Sequence, residues 1–115
     1  MLDIKLIEQK IELETELKDA KLWINQKEIV EYNNFKEVNP TSREAMDKVV
    51  SRLKLEDDFW LEKEADLITK EVMYKKVALI VEVLNNTLNA MSRHSDISKS
   101  YFDRLQGEYI KSLGL

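Results

Sequence analysis

The chain has 115 residues, the size of one domain, and its 43% apolar and 35% charged residues fit a folded, heavily solvated protein and exclude a disordered one. Its formal net charge of −4, with lysine far outnumbering arginine, argues against generic nucleic-acid binding, which draws on neutralised phosphates and on arginine's paired donors. No cysteine is present, so disulfides, thiolate metal sites and cysteine nucleophiles are excluded; two glycines and one proline leave few turns, so most of the chain must lie in long elements.

The start, Met1-Leu2-Asp3-Ile4-Lys5, lacks the basic and then apolar pattern of a secretory signal. Residues 2–35 read as one long helix carrying two apolar stripes. Leu2, Leu6, Leu13, Leu17, Ala20 and Ile24 form one, and Ile4, Ile7, Ile11, Leu22, Ile29 and Tyr32 the other. A helix with two such stripes needs two neighbours.

Asn39-Pro40 is the one strong break, because proline biases its predecessor away from helical geometry. Thr41-Ser42-Arg43-Glu44 then reads as a capping box, with Thr41 as N-cap and Glu44 reaching back to it.

From Ser42 to Met91 there is neither glycine nor proline, and apolar residues recur every seven positions at Met46, Leu53, Trp60, Leu67, Tyr74, Val81 and Leu88. That series favours one long helix over 42–91, kinked near 55–58 if Asp57 or Asp58 starts a new one. Glu56, Lys63 and Lys70 interrupt the companion seam, so a continuous two-stranded coiled coil is not expected.

Residues 77–91 are apolar on most of the circumference and are expected to be buried on nearly all sides, with Asn85, Asn86 and Asn89 on the one wet face. The longest apolar run, Val77 to Val81, is far too short for a membrane span, so the default location is cytoplasmic. Ser95 or Asp96 is expected to cap a last helix over 96–112, whose inner face holds Ile97, Tyr101, Phe102, Leu105, Tyr109 and Leu113. Trp23, Tyr74, Tyr101, Phe102 and Tyr109 are expected in the core.

The fold class that follows is all-α: a single helical domain over 1–115, a bundle of three to four helices with the long N-terminal helix on a long central one. Two apolar stripes on the first helix and the apolar 77–91 segment exceed what four helices in one chain easily cover. A homodimer or a hetero-complex is therefore expected.

Two groups of residues carry chemistry. Glu28-x-x-Glu31 and Glu44-x-x-Asp47 each place two carboxylates on one helix face. Over residues 28–47 this spacing resembles the acidic pattern of all-helical nucleoside triphosphate pyrophosphohydrolases. That likeness implies Mg²⁺ on Glu28, Glu31, Glu44 and Asp47, and phosphate hydrolysis. His94, the only histidine, reads as an exposed turn residue.

The second group is Glu56 to Asp66, where six acids and one lysine surround Phe59-Trp60-Leu61. Three consecutive residues on a helix point about 100° apart, so one core cannot take all three. Trp60 belongs to the seven-residue series. Leu61 begins another stripe through Ala65, Ile68, Val72, Leu79 and Val83. Phe59 is left over beside Leu55. The expected contact site is Leu55 and Phe59, rimmed by Asp57, Asp58 and Glu62, and it suits a protein with a basic surface.

The functional expectation is a non-enzymatic protein–protein interaction, as an adaptor, assembly factor or small inhibitor, with no cofactor and with neither nucleic acid nor membrane as partner. The Mg²⁺-dependent pyrophosphohydrolase is the alternative from another class. A secretion-system helical partner is a third, though no Trp-x-Gly turn is present. The Lys, Asn and Ile content matches an AT-rich genome, such as that of a low-GC bacterium or its phage.

Overall fold

A computed structural model describes residues 1–94 and 98–115. It is an all-α bundle of four helices: α1 (Ile4–Val38), α2 (Met46–Leu55), α3 (Asp58–Arg93) and α4 (Lys99–Ser112). The long N-terminal helix packs on the long central one, as its apolar periodicity predicts. The chain divides into two compact units, to both of which α1 and α3 contribute: Met1–Thr15 with Val72–Leu115, and Glu16–Glu71.

The first unit closes on an apolar cluster. Leu6 of α1, Ile80 and Leu84 of α3 and Phe102 of α4 are buried together, with Leu2, Leu88, Met91 and Leu105 among the residues packed around them. Such burial contributes roughly 1.5–3 kcal/mol per large side chain. Polar groups fix the ends of the elements. The Asp3 amide donates to Oε1 of the buried Gln106 (2.7 Å), while Asp3 Oδ1 accepts from the Lys5 amide (2.8 Å) and starts α1.

The α4 N-cap is Ser98, whose hydroxyl accepts from the Tyr101 amide at 3.1 Å. Ser95 and Asp96, the expected caps, and Ile97 lie outside the described residues. The far end of α4 closes in a Schellman pattern: Leu115 N–H donates to Ile110 O (3.1 Å) and Gly114 N–H to Lys111 O (3.0 Å). Gly114 sits at φ 75°, where a side chain would be strained.

The second unit combines the rest of α1, all of α2 and the start of α3 around Leu17, Ile24, Val49, Val50 and Trp60. After α1, Asn39-Pro40-Thr41-Ser42 forms a turn in which Ser42 N–H donates to Asn39 O (3.1 Å), with proline at its favoured second position. The expected capping box does not form. Thr41 lies in that turn, Ser42 Oγ accepts from the Glu44 amide (3.3 Å), and the Glu44 carboxylate is held by Arg52 (2.8 Å). The helix starts later, at Met46, and its N-cap Ala45 has no side-chain bond to give.

Residues 42–91 are two helices, not one. Lys54 Nζ lies 2.6 Å from the Glu64 carboxylate, whereas a continuous helix would set residues ten apart about 15 Å from each other along its axis. The chain therefore turns at Glu56-Asp57. Asp57 begins α3: its carbonyl accepts from Leu61 N–H (3.1 Å) and its Oδ1 from Trp60 N–H (3.1 Å). Asp57 was one of the two residues whose chemistry allowed this break.

Two burial expectations need correction. In the first unit, 77–91 is one-sided: Val77, Ile80 and Leu84 are buried, but Leu79 and Glu82 are exposed, while the three asparagines are exposed as their place on the wet face predicts. The apolar count of that segment exceeds what α1 and α4 cover. Of the aromatics expected in the core, Phe102 is buried, Trp23, Tyr74 and Tyr109 are half-buried, and Tyr101 is exposed. The second stripe of α1, read as needing a neighbour, stays largely uncovered within each unit: Ile4, Ile7 and Ile11 are exposed in the first, Leu22 and Ile29 are exposed in the second, and Tyr32 there is half-buried.

Candidate functional site

The turn between α2 and α3 orients everything around it. Once the Asp57 carboxylate holds the Trp60 amide, Trp60 points inward and is 0% exposed. Its two neighbours must then leave the core. Phe59 is 56% exposed, Leu61 lies near the surface, and Leu55 at the end of α2 is 73% exposed.

The buried indole lies between two ammonium groups. Lys27 Nζ stands 5.7 Å and Lys54 Nζ 5.5 Å from the ring centroid, both within cation–π range. Each lysine is also ion-paired, Lys27 with Glu31 (2.9 Å) and Asp57 (3.2 Å), and Lys54 with Glu64. The Trp60 indole N–H, by contrast, has no acceptor among the described residues.

These contacts move the titrations. The Trp60 amide, and then Lys27, hold the Asp57 carboxyl below its ordinary value against the opposing effect of desolvation. The hydrogen bond to Glu31, followed by the contact with Asp57, holds the Lys27 ammonium above its ordinary value. Asp57 is thus committed to capping α3 and to Lys27, while Asp58 and Glu62 remain exposed on the surface.

Phe59 is half-supported from α1. The Trp23 ring meets it edge to face, centroids 5.4 Å apart at 77°. Lys63, one helical turn beyond Phe59, lays its ammonium 5.4 Å from the Phe59 ring and 5.7 Å from that of Trp23. Two shallow hollows flank this corner. One, of about 260 Å³, is lined by Phe59, Glu62, Lys63 and Asp66. The other, of about 320 Å³, is lined by Glu16, Asp19, Ala20, Trp23, Lys63, Asp66 and Lys70.

Of the five expected contact residues, Phe59 and Glu62 therefore share a hollow, and Leu55 and Asp58 are exposed. Trp23 and Lys63 complete the corner without having been assigned to it from the sequence. The Phe59–Lys63 spacing of four was a readable signal; the approach of Trp23 from α1 had none.

The four carboxylates of the pyrophosphohydrolase-like pattern are dispersed among other tasks. Glu31 is paired with Lys27 and Glu44 with Arg52. Glu28 and Asp47 line an open hollow of about 370 Å³ with Met46, Val50, Ser51 and Lys54. Among the described residues no three His, Asp or Glu side chains come together to hold a metal ion. His94 is exposed just after α3, and among the described residues no helix is long and apolar enough to cross a membrane.

No protein-family model matches the chain, and neither a curated protein nor a solved structure matches it.

Proposed function

We propose that the chain works by non-enzymatic protein–protein interaction, as an adaptor, assembly factor or small inhibitor, and meets a partner with a basic surface through Leu55 and Phe59. The observation that carries this reading is the exposure of both side chains, 73% and 56%, beside a Trp60 that is wholly buried. An aromatic left outside an available core, within a segment of six acids and one lysine, has the composition of a contact surface. Asp58 and Glu62 form its rim and act mainly on the rate of association, as exposed rim charges do. Asp57 contributes less to the rim, since its carboxylate is already engaged.

The unpartnered apolar side chains elsewhere support an assembly of more than one chain. In the first unit these are Ile4, Ile7 and Ile11 on α1 and Val72 and Leu79 on α3; in the second they include Leu22, Ile29 and Ile68. Ile4, Ile7 and Ile11 recur at helical spacing on one face, and monomers rarely leave a large contiguous apolar stripe uncovered.

Light scattering coupled to size exclusion tests the assembly. The expected result is a particle heavier than the 13.6 kDa chain, either a homodimer or a complex retained from the host. A clean monomer at tens of micromolar, on the order of concentrations well above typical dimer constants, contradicts it. Incubation with Mg²⁺ and a panel of nucleoside triphosphates is expected to release no pyrophosphate. Turnover that is lost in Glu31→Gln would replace this reading with the enzymatic one.

A further inference from the structure

We propose that the Trp23–Phe59 corner receives an arginine side chain of the partner, and that Lys63 occupies its place in the free chain. This inference rests on the interaction reading above and names the chemistry of the group recognised.

Two aromatic rings set edge to face offer a cation the electron-rich face of one ring beside the flank of the other. In the free chain that position is filled from within, by Lys63 Nζ at 5.4 and 5.7 Å from the two centroids. Among the described residues Lys63 makes no ion pair, although it shares both hollows with Asp66. It is therefore held by the rings and the general field of the acids, and no carboxylate fixes it.

A guanidinium would use the site better. It is planar, more weakly hydrated than an ammonium and able to stack on a ring while its N–H fork reaches a carboxylate. Glu62 and Asp19, one lining each hollow, form no ion pair among the described residues and are placed to accept from such a fork. The second unit also carries the whole net charge, fourteen acidic against ten basic side chains, so a cationic segment is drawn to the unit that holds the corner. Lys63 sits on a flexible stem and can swing to solvent as the arginine enters.

Tryptophan fluorescence during titration with capped hexa-arginine and hexa-lysine peptides tests this, using the full chain and three variants. Lys63→Met keeps the aliphatic stem but removes the resident cation, and Lys99→Met makes the same charge change in the first unit. Phe59→Leu keeps apolar bulk without a ring face.

Hexa-arginine is expected to bind about threefold more tightly to Lys63→Met and about threefold more weakly to Phe59→Leu, the size of one exposed cation–π contact. Lys99→Met and the hexa-lysine titrations should shift less. Equal effects of Lys63→Met and Lys99→Met, or an unchanged affinity in a folded Phe59→Leu, overturn the arginine site and leave only a diffuse attraction between opposite charges. If Phe59→Ala releases the host partner while hexa-arginine ignores Phe59→Leu, the arginine assignment falls and the interaction reading stands. If partner retention ignores Phe59→Ala, the reading itself falls.

Discussion

The two units of this chain are built from the same kind of helix and both bury an apolar centre, yet among the described residues only the second adds ion pairs to it. In the first, eight acidic side chains balance eight basic ones, no ion pair forms among the described residues, and Leu6, Ile80, Leu84 and Phe102 supply an apolar centre. In the second, the acids outnumber the bases by four, the ion pairs Lys21–Glu71, Lys27–Glu31, Lys27–Asp57, Arg52–Glu44, Lys54–Glu64, Lys70–Glu16 and Lys70–Asp66 all form, and the largest buried side chain, Trp60, lies between two lysines. The contrast separates roles. Apolar burial is common to both units, whereas the second adds partly exposed ion pairs, which salt screens, and keeps an aromatic corner at its surface.

The largest expected effect is on the first unit's core. Phe102→Ala should cost about 3–5 kcal/mol, as large-to-small core changes do, and the loss should be nearly independent of salt. Denaturant melts at low and high ionic strength measure it, and a strongly salt-dependent loss would erase the contrast between the units.

Salt itself comes next. Raising ionic strength from about 0.05 to 1 M shortens the screening length to about 3 Å and weakens partly exposed pairs. Hydrogen-exchange protection in Glu16–Glu71 should then fall by about tenfold, while that of the first unit holds or rises. Equal changes in both units would mean that the ion pairs contribute nothing of note.

Smaller effects follow from pH, and they divide the units again. Asp57 has a lowered folded pKa, so its contribution is present above the ordinary carboxylate value and is lost as pH falls through the lowered one. Acid should therefore loosen the start of α3 in the second unit, and Asp57→Asn, which can still cap, should flatten that limb in thermal melts.

In the first unit the Tyr74 phenol donates to Glu14 Oε1 (2.9 Å), and this bond holds its pKa above the ordinary value. Its contribution is present below the ordinary phenol value and lost as pH rises through the raised one. Tyr74→Phe should be the mildest change, lowering the melting midpoint slightly at neutral pH, with the gap to the native chain closing as pH rises toward that alkaline limit. A Tyr74→Phe effect confined to acid would contradict the assignment.

Much of the fold was legible because helices advertise themselves by period. The alternating four- and seven-residue spacing of Leu2, Leu6, Leu13, Leu17 and Ile24 marked the inner face of α1, and the scarcity of glycine and proline excluded short elements. What misled was the assumption that a segment apolar on most of its circumference, such as 77–91, is buried on nearly all sides. Leu79 and the Ile4–Ile11 stripe are as apolar as the buried positions, and nothing local distinguishes them.

The seven-residue series also ran through a break that had no glycine or proline, because an aspartate side chain can cap a helix from within an otherwise helical pattern. Thr41 and Glu44 matched a cap by type, but Pro40 drew Thr41 into a turn and Arg52 took Glu44. The exposure of Phe59 followed from geometry, since the three adjacent large residues Phe59, Trp60 and Leu61 cannot all face inward. Trp23 was invisible as the neighbour of Phe59 because helix-to-helix contacts leave no mark in linear spacing.

The central claim, that Phe59 belongs to a contact surface, is tested most directly by measuring thermal stability and partner retention on one Phe59→Ala protein. The account predicts a melting midpoint within a few degrees of the native chain, together with binding weakened by about 2 kcal/mol or more, the loss typical of an aromatic hot spot. A midpoint that collapses while residual binding is unchanged would make Phe59 a core residue and place the contact surface elsewhere.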